Sequence, residues 1–290
     1  MQLSTSRIGE IAVARVVENE GPFAQVDFLL PDFSAAILEE HSWLRPNFVD
    51  AENRVMMSFH SYVLRTPRCV IFVDGCAGND KERPLRPMWH RQQLPFLDRL
   101  AQAGVRPEEI DFVFCTHLHA DHVGWNTRLR DGRWVPTFPN ARYIFARREY
   151  EYWEEMQRTQ AEPPNHNSFP DSVLPVMEAR QADLVESDHE LEHGLHLEAA
   201  YGHTPGSCML HAKSRGEHGI FIGDVMHSPV QLADPSLSSR FCSDPVLAVQ
   251  TRRSLCERYA ETATALFTGH FPAPSAARLV RAGNGFRIRD

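Results

Sequence analysis

Residues 112–125 read FVFCTHLHADHVGW, in which three histidines and an aspartate (His117, His119, Asp121 and His122) fall within six positions, directly after an apolar run. Imidazole suits zinc, iron, cobalt and nickel, and a carboxylate complements it at a divalent site. A loop of the form His-x-His-x-Asp-His can point alternate side chains at two neighbouring cations. It cannot complete two coordination shells alone, so a metal reading requires further donors downstream. They appear where strands should end. GHTPGS sets His203 in a Pro-Gly turn, FIGDVMH sets Asp224 behind an apolar run and a glycine, and LFTGHFP does the same for His270. The count then closes at two cations. His117, His119 and His203 serve one, Asp121, His122 and His270 the other, and Asp224 lies between them.

The elements that must position these donors can be read from the pattern around them. RVMMSFHSYVLRT and CVIFVDG are strand-like runs separated by a Pro-containing turn, a hairpin signal. HRQQLPFLDRLAQAG carries apolar residues at helical spacing and stops at Gly104. IDFVFC is a short strand that opens into the first donor loop, and ARYIFARREYEYWEEM is a strand passing into an amphipathic helix. LHLEAAY, GIFIGD and ATALFTG are further strands, and SDPVLAVQTRRSLCERYAE is a helix with a Ser or Asp cap. Strands and helices thus alternate over residues 54–290, read as one domain. Residues 1–53 read as an N-terminal extension that packs on this domain or on a second subunit. TQAEPPNHNSFPDS is a loop by composition, an insertion bordering the site over residues 160–172.

Bulk properties exclude some classes of partner. A formal charge of −8 disfavours a phosphate-backbone ligand, which is bound through clustered Lys and Arg. The expected partner is a small molecule, with no nucleic acid and no membrane. No apolar run approaches the roughly 20 residues that span a bilayer, so the chain is expected to be cytoplasmic. The six cysteines show no CxxC spacing and read as buried free thiols.

In combination THLHADH, GHTPGS, GDVMH and TGHFP resemble the metallo-β-lactamase superfamily over roughly residues 54–275. The resemblance implies an α/β fold, the four-layer αββα sandwich, with two divalent cations per chain, zinc foremost and iron, cobalt or manganese as alternatives. VDGCAG resembles the superfamily's strand-end aspartate signature, which makes Asp74 a support for a ligand rather than a ligand itself. Several branches fit poorly. β-Lactamases of this fold place a cysteine where Asp224 stands, flavodiiron proteins carry Glu at position 119, and glyoxalase II adds a long helical domain after the last histidine. The chain is most similar to the acyl-homoserine lactonases and the methyl-parathion-hydrolase-like proteins. Lactonases usually bear a tyrosine three residues after the shared aspartate; here His227 occupies that position, as in the phosphotriesterase-like branch.

The expected function is therefore a dinuclear hydrolase that opens a lactone or cleaves a carboxylic ester by attack of a metal-bridging hydroxide. The alternative within the family is a phosphotriesterase or aryl-ester hydrolase. An alternative of another class is a mononuclear iron thiol dioxygenase, which would leave Asp121, His122 and His270 unexplained. Asp121 would take the nucleophile's proton and His227 would donate to substrate, since imidazole titrates near about 6.5. Met226 and Trp125 are the expected substrate-lining side chains. His41, His60, His90, His166, His189, His193, His196, His211 and His218 read as ordinary structural or solvated residues. The apolar N-terminal segment and the family resemblance also allow a homodimer.

Overall fold

A computed structural model describes residues 4–162 and 164–289. The chain divides into two compact units, one of residues 1–18 and 59–189, the other of residues 19–58 and 190–290.

The first unit is built on a mixed sheet. Its strands are β1 (Ser4–Ile8), the part of β2 (Ile11–Gln25) up to Glu18, the part of β3 (Arg54–Arg65) from Phe59, β4 (Val70–Val73) and β5 (Phe112–Phe114). A small hairpin, β6 (Thr127–Arg130) with β7 (Arg133–Pro136), stands apart, and β8 (Arg142–Ala146) and β9 (Ala182–Val185) complete the sheet. The order is β1-β2-β3-β4-β5-β8-β9, with β4, β5, β8 and β9 parallel. Parallel strands covered on both faces need apolar residues at every position. VIFV in β4 and FVF in β5 supply them. Phe96 and Leu100, on the helix Phe96–Gln102, pack with Phe72 and Val113 in one core. Tyr150 and Trp153, on the helix Arg147–Thr159, belong to the same core. The β3–β4 hairpin expected from sequence closes through Thr66, whose Oγ1 accepts from the Cys69 N–H at 2.9 Å.

In the second unit the strands are β10 (Glu190–Glu192), β11 (Leu195–Ala199), β12 (Cys208–Ser214), β13 (Glu217–Phe221), β14 (Ala265–Phe267) and β15 (Ala276–Ala277). They form one sheet in that order, antiparallel except for β13 with β14. A terminal hairpin pairs β16 (Leu279–Ala282) with β17 (Gly285–Ile288). The helix Pro245–Tyr259 packs Leu255 and Cys256 onto Met209, Ile220 and Leu266. Of the two caps expected for it, Asp244 is the one used, its carboxylate accepting from the Leu247 N–H at 2.9 Å.

All six cysteines are free thiols, and all but Cys242 are buried. Among the described residues no helix is long and apolar enough to cross a membrane.

Candidate metal centre

Each unit gathers its donors at the carboxyl ends of its strands. In the first, β5 runs out at Phe114 and the chain turns through Cys115 and Thr116 into the histidine loop. Asp74 follows β4 in the left-handed region (φ 58°). That pose brings its carboxylate to the Thr116 N–H at 2.8 Å and the Thr116 hydroxyl at 2.9 Å. The oxygen that accepts from the hydroxyl also lies 3.0 Å from His122 Nδ1. Asp74 therefore braces the loop and lies against the His122 imidazole.

The strand-end loops are also zipped together by backbone. Gly75 N–H donates to the His122 carbonyl, Gly124 N–H to that of Cys76 and Trp125 N–H to that of Gly75. A Cβ at Gly124 would lie 2.0 Å from the Ala77 carbonyl carbon and oxygen, so only glycine allows this approach. Within the loop, His117 Nε2 and His119 Nδ1 are 3.1 Å apart, and the His117 and His122 rings have centroids 4.0 Å apart. His117 and His122 are buried, while His119 and Asp121 are partly open.

In the second unit the turn after β11 carries His203. Ser207 closes it by donating to the Ala200 carbonyl at 2.6 Å. Gly202 (φ 127°) presses the turn so close to the following helix that a Cβ would meet the Ala248 nitrogen at 2.2 Å. The turn after β13 carries Asp224, and that after β14 carries His270. The three converge. The Asp224 carboxylate, buried, has His203 Nε2 at 3.3 Å, His227 Nε2 at 3.2 Å and His270 Nε2 at 3.2 Å. The donor atoms of His203, Asp224 and His227 lie within 4.8 Å of one another, the spacing of a cation site. All seven predicted ligands, and His227 with them, fall in clusters of three or more donors able to hold a metal.

The ring tautomers test whether a cation fits. His270 Nδ1 lies 3.2 Å from the Ser58 carbonyl, which can only accept, so Nδ1 carries the proton. In the neutral ring, Nε2 then presents a lone pair to the Asp224 oxygen 3.2 Å away. Two acceptors face each other there. A second proton on His270 would instead bury an imidazolium beside the carboxylate, at a desolvation cost. A divalent cation reconciles the arrangement, and the donor set suits zinc.

The side chains expected to meet substrate sit differently from the donors. Trp125 is buried, stacked on Phe96 at 5.1 Å, with its indole N–H donated to Glu18 at 2.7 Å. Glu18 also accepts from the Ala77 and Gly78 N–H groups, at 3.1 and 2.9 Å, just after Asp74. Burial pushes the Glu18 carboxyl above its usual pKa despite these donors. Met226 packs in the core of the second unit. Sequence reasoning did not single out Glu18, Ser58, Glu149 or Asn165, all of which hold the donor loops. Ser58 acts through a backbone carbonyl, which no side-chain pattern reports.

Residues 60–272 match the metallo-beta-lactamase superfamily. The chain belongs to that superfamily. Curated relatives within it include the N-acyl homoserine lactonase AiiA of Bacillus thuringiensis, 24% identical over 172 residues, which are 59% of this chain. An N-acyl homoserine lactonase of Bacillus cereus is 26% identical over 176 residues. The chain spans 60% of the length of both. Among solved superfamily structures, the hydrolase AbOPH has a TM-score of 0.81 at 22% identity, over 99% of this chain and 96% of that one. AidC, a dizinc quorum-quenching lactonase, has a TM-score of 0.78 at 20% identity, over 99% and 96%. The metallo-beta-lactamase fold expected from the motifs is thus the fold of this chain.

Proposed function

We propose that this chain is a dinuclear metal-dependent hydrolase that opens lactones or cleaves carboxylic esters. His117, His119, Asp121, His122, His203, Asp224 and His270 would hold the cations. The observation that carries this reading is the buried Asp224 carboxylate facing three imidazole Nε2 atoms at 3.2–3.3 Å. Divalent cations in such a site supply Lewis acidity and lower the pKa of bound water towards neutrality.

The chain's own residues then divide the work. Asp121, partly open where the other carboxylates are buried, accepts the proton of the attacking water. His227 donates to the oxygen that gains charge on the substrate. Asp74 and the Ser58 carbonyl face Nδ1 of His122 and His270, so that the Nε2 atoms of these rings would be the ones to hold the cations.

Lactones are favoured as substrates by the curated N-acyl homoserine lactonases and by the structural likeness to a dizinc lactonase. A second reading, hydrolysis of aryl esters or phosphotriesters, rests on His227 standing where the lactonases usually carry tyrosine. Metal analysis with a screen of lactones, aryl esters and aryl phosphotriesters tests both. Two zinc ions per chain with oxygen-independent ring opening are expected. A preference for phosphotriesters would select the second reading. A mononuclear iron protein that consumes oxygen would overturn both.

A further inference from the structure

The histidine loop has little regular structure of its own, so its backbone groups need outside partners. Two side chains from later in the chain supply them. Asn165 accepts from the Ala120 N–H at 2.9 Å and donates to the Leu118 carbonyl at 2.7 Å. Those two groups flank His119. Glu149, buried on the helix Arg147–Thr159, accepts from the Leu118 N–H at 3.0 Å. Trp153 of the same helix sets its ring edge-on to His119 at 5.3 Å and donates its indole N–H to Glu149 at 2.7 Å.

The segment carrying Asn165 is itself held at its far end. Asp171 takes both ends of the Arg83 guanidinium, at 2.7 and 2.8 Å, and both residues are buried. Lys81 is fully buried beside them, donating to the Asp171 carbonyl at 3.1 Å and lying 3.6 Å over the Trp134 ring. Between these anchors Asn165, His166 and Asn167 all adopt left-handed backbone, at φ 50°, 53° and 60°. That conformation is disfavoured for residues other than glycine, less so for Asn. With the far end of the segment anchored at Asp171, the Asn165 amide is aimed at the loop.

We propose that Asn165 is a positioning residue for the metal site, its amide setting the peptides on either side of His119. The stretch from Asn165 to Asp171 then buttresses that loop. This rests on the metallohydrolase reading above. Asn165→Leu keeps the side-chain size and removes both hydrogen bonds; Asn165→Ala replaces it if the leucine variant does not fold. Gln181→Leu is the control, because Gln181 clamps the carbonyls of Phe138, Pro139 and Ala141, away from the loop.

Metal-stripped proteins are titrated with Co(II) against a chromophoric chelator, and the visible spectrum of the cobalt form is recorded. Outer supports of metal ligands typically contribute 10–100-fold in affinity, so cobalt binding about 10-fold weaker or more is expected, with an altered ligand-field band. The Gln181 variant should match wild type in both. Wild-type affinity and spectrum in the Asn165 variant would overturn the positioning role and leave the hydrolase reading intact. Failure of the wild-type protein itself to bind cobalt would overturn that reading instead.

Discussion

Asp224 is the residue on which the site turns, since three imidazoles face its carboxylate in a buried pocket of the second unit. Asp224→Ala should lower metal content and cut turnover by about 10³-fold or more, as removal of a group acting in concert with others does. Activity within tenfold of wild type would remove it from the site. His227→Ala should retain both metals yet lose about 10²-fold in kcat, the scale of a lost proton donor. Metal content measured alongside kcat separates the two roles. Gly124→Ala should cost about 1–3 kcal/mol through overpacking against the Ala77 carbonyl, read from a urea midpoint. The donors were legible in the sequence because residue type fixes ligand chemistry. Asn165 was not, because an amide in a Pro- and Asn-rich loop looks like any turn residue.

Strand ends place the donors, and the helices and neighbouring strands hold those ends still. Asp244 caps the helix that the His203 turn packs against, so Asp244→Ala should cost about 1 kcal/mol in thermal stability. The sheet of the second unit carries a feature that no local pattern announces. His196, His211 and His218, read as ordinary residues, stack across β11, β12 and β13 at 4.7 and 5.2 Å. His211 Nδ1 and His218 Nε2 are 2.9 Å apart, and His211 Nε2 lies 2.9 Å from Glu198. Lys213, Arg258, Tyr259 and Thr264 complete the surroundings.

Burial pushes His218 down to about 4 and His211 down likewise, against the attraction of Glu198. The unfolded chain takes up these protons near about 6.5, the folded chain only near 4. Between those values the unfolded state binds more protons, so stability must fall as pH drops through that window. Urea midpoints of the metal-stripped protein at pH near 7.5 and near 5 should show the loss, and His218→Asn should shrink it. An unchanged difference in that variant would remove the histidine stack as its source. The strands were legible from their apolar runs, but a cross-strand stack depends on register, which alternation alone does not number.

At the scale of the whole molecule, cations held by the proposed ligands would favour the folded chain over the unfolded one. Removing the cations should therefore lower stability as well as abolish activity. A ligand at about 100-fold its Kd contributes about 2.7 kcal/mol to the folded state. Exhaustive chelation is expected to lower Tm by several degrees, and added zinc to restore both Tm and turnover. Chelated protein with full activity would count against metal catalysis altogether.

The sequence by itself determined the superfamily and the chemistry on offer. Ligand character resides in residue type, and apolar runs mark the strands whose ends carry the donors. Only the tertiary structure decided which ring nitrogen faces inward and what steadies the loop around His119. Those outcomes depend on hydrogen bonds closed through space between residues far apart in the chain, as Asn165 and Leu118 are at a separation of 47. No local pattern encodes such a pairing, because a buried backbone group accepts any partner that the fold brings within reach.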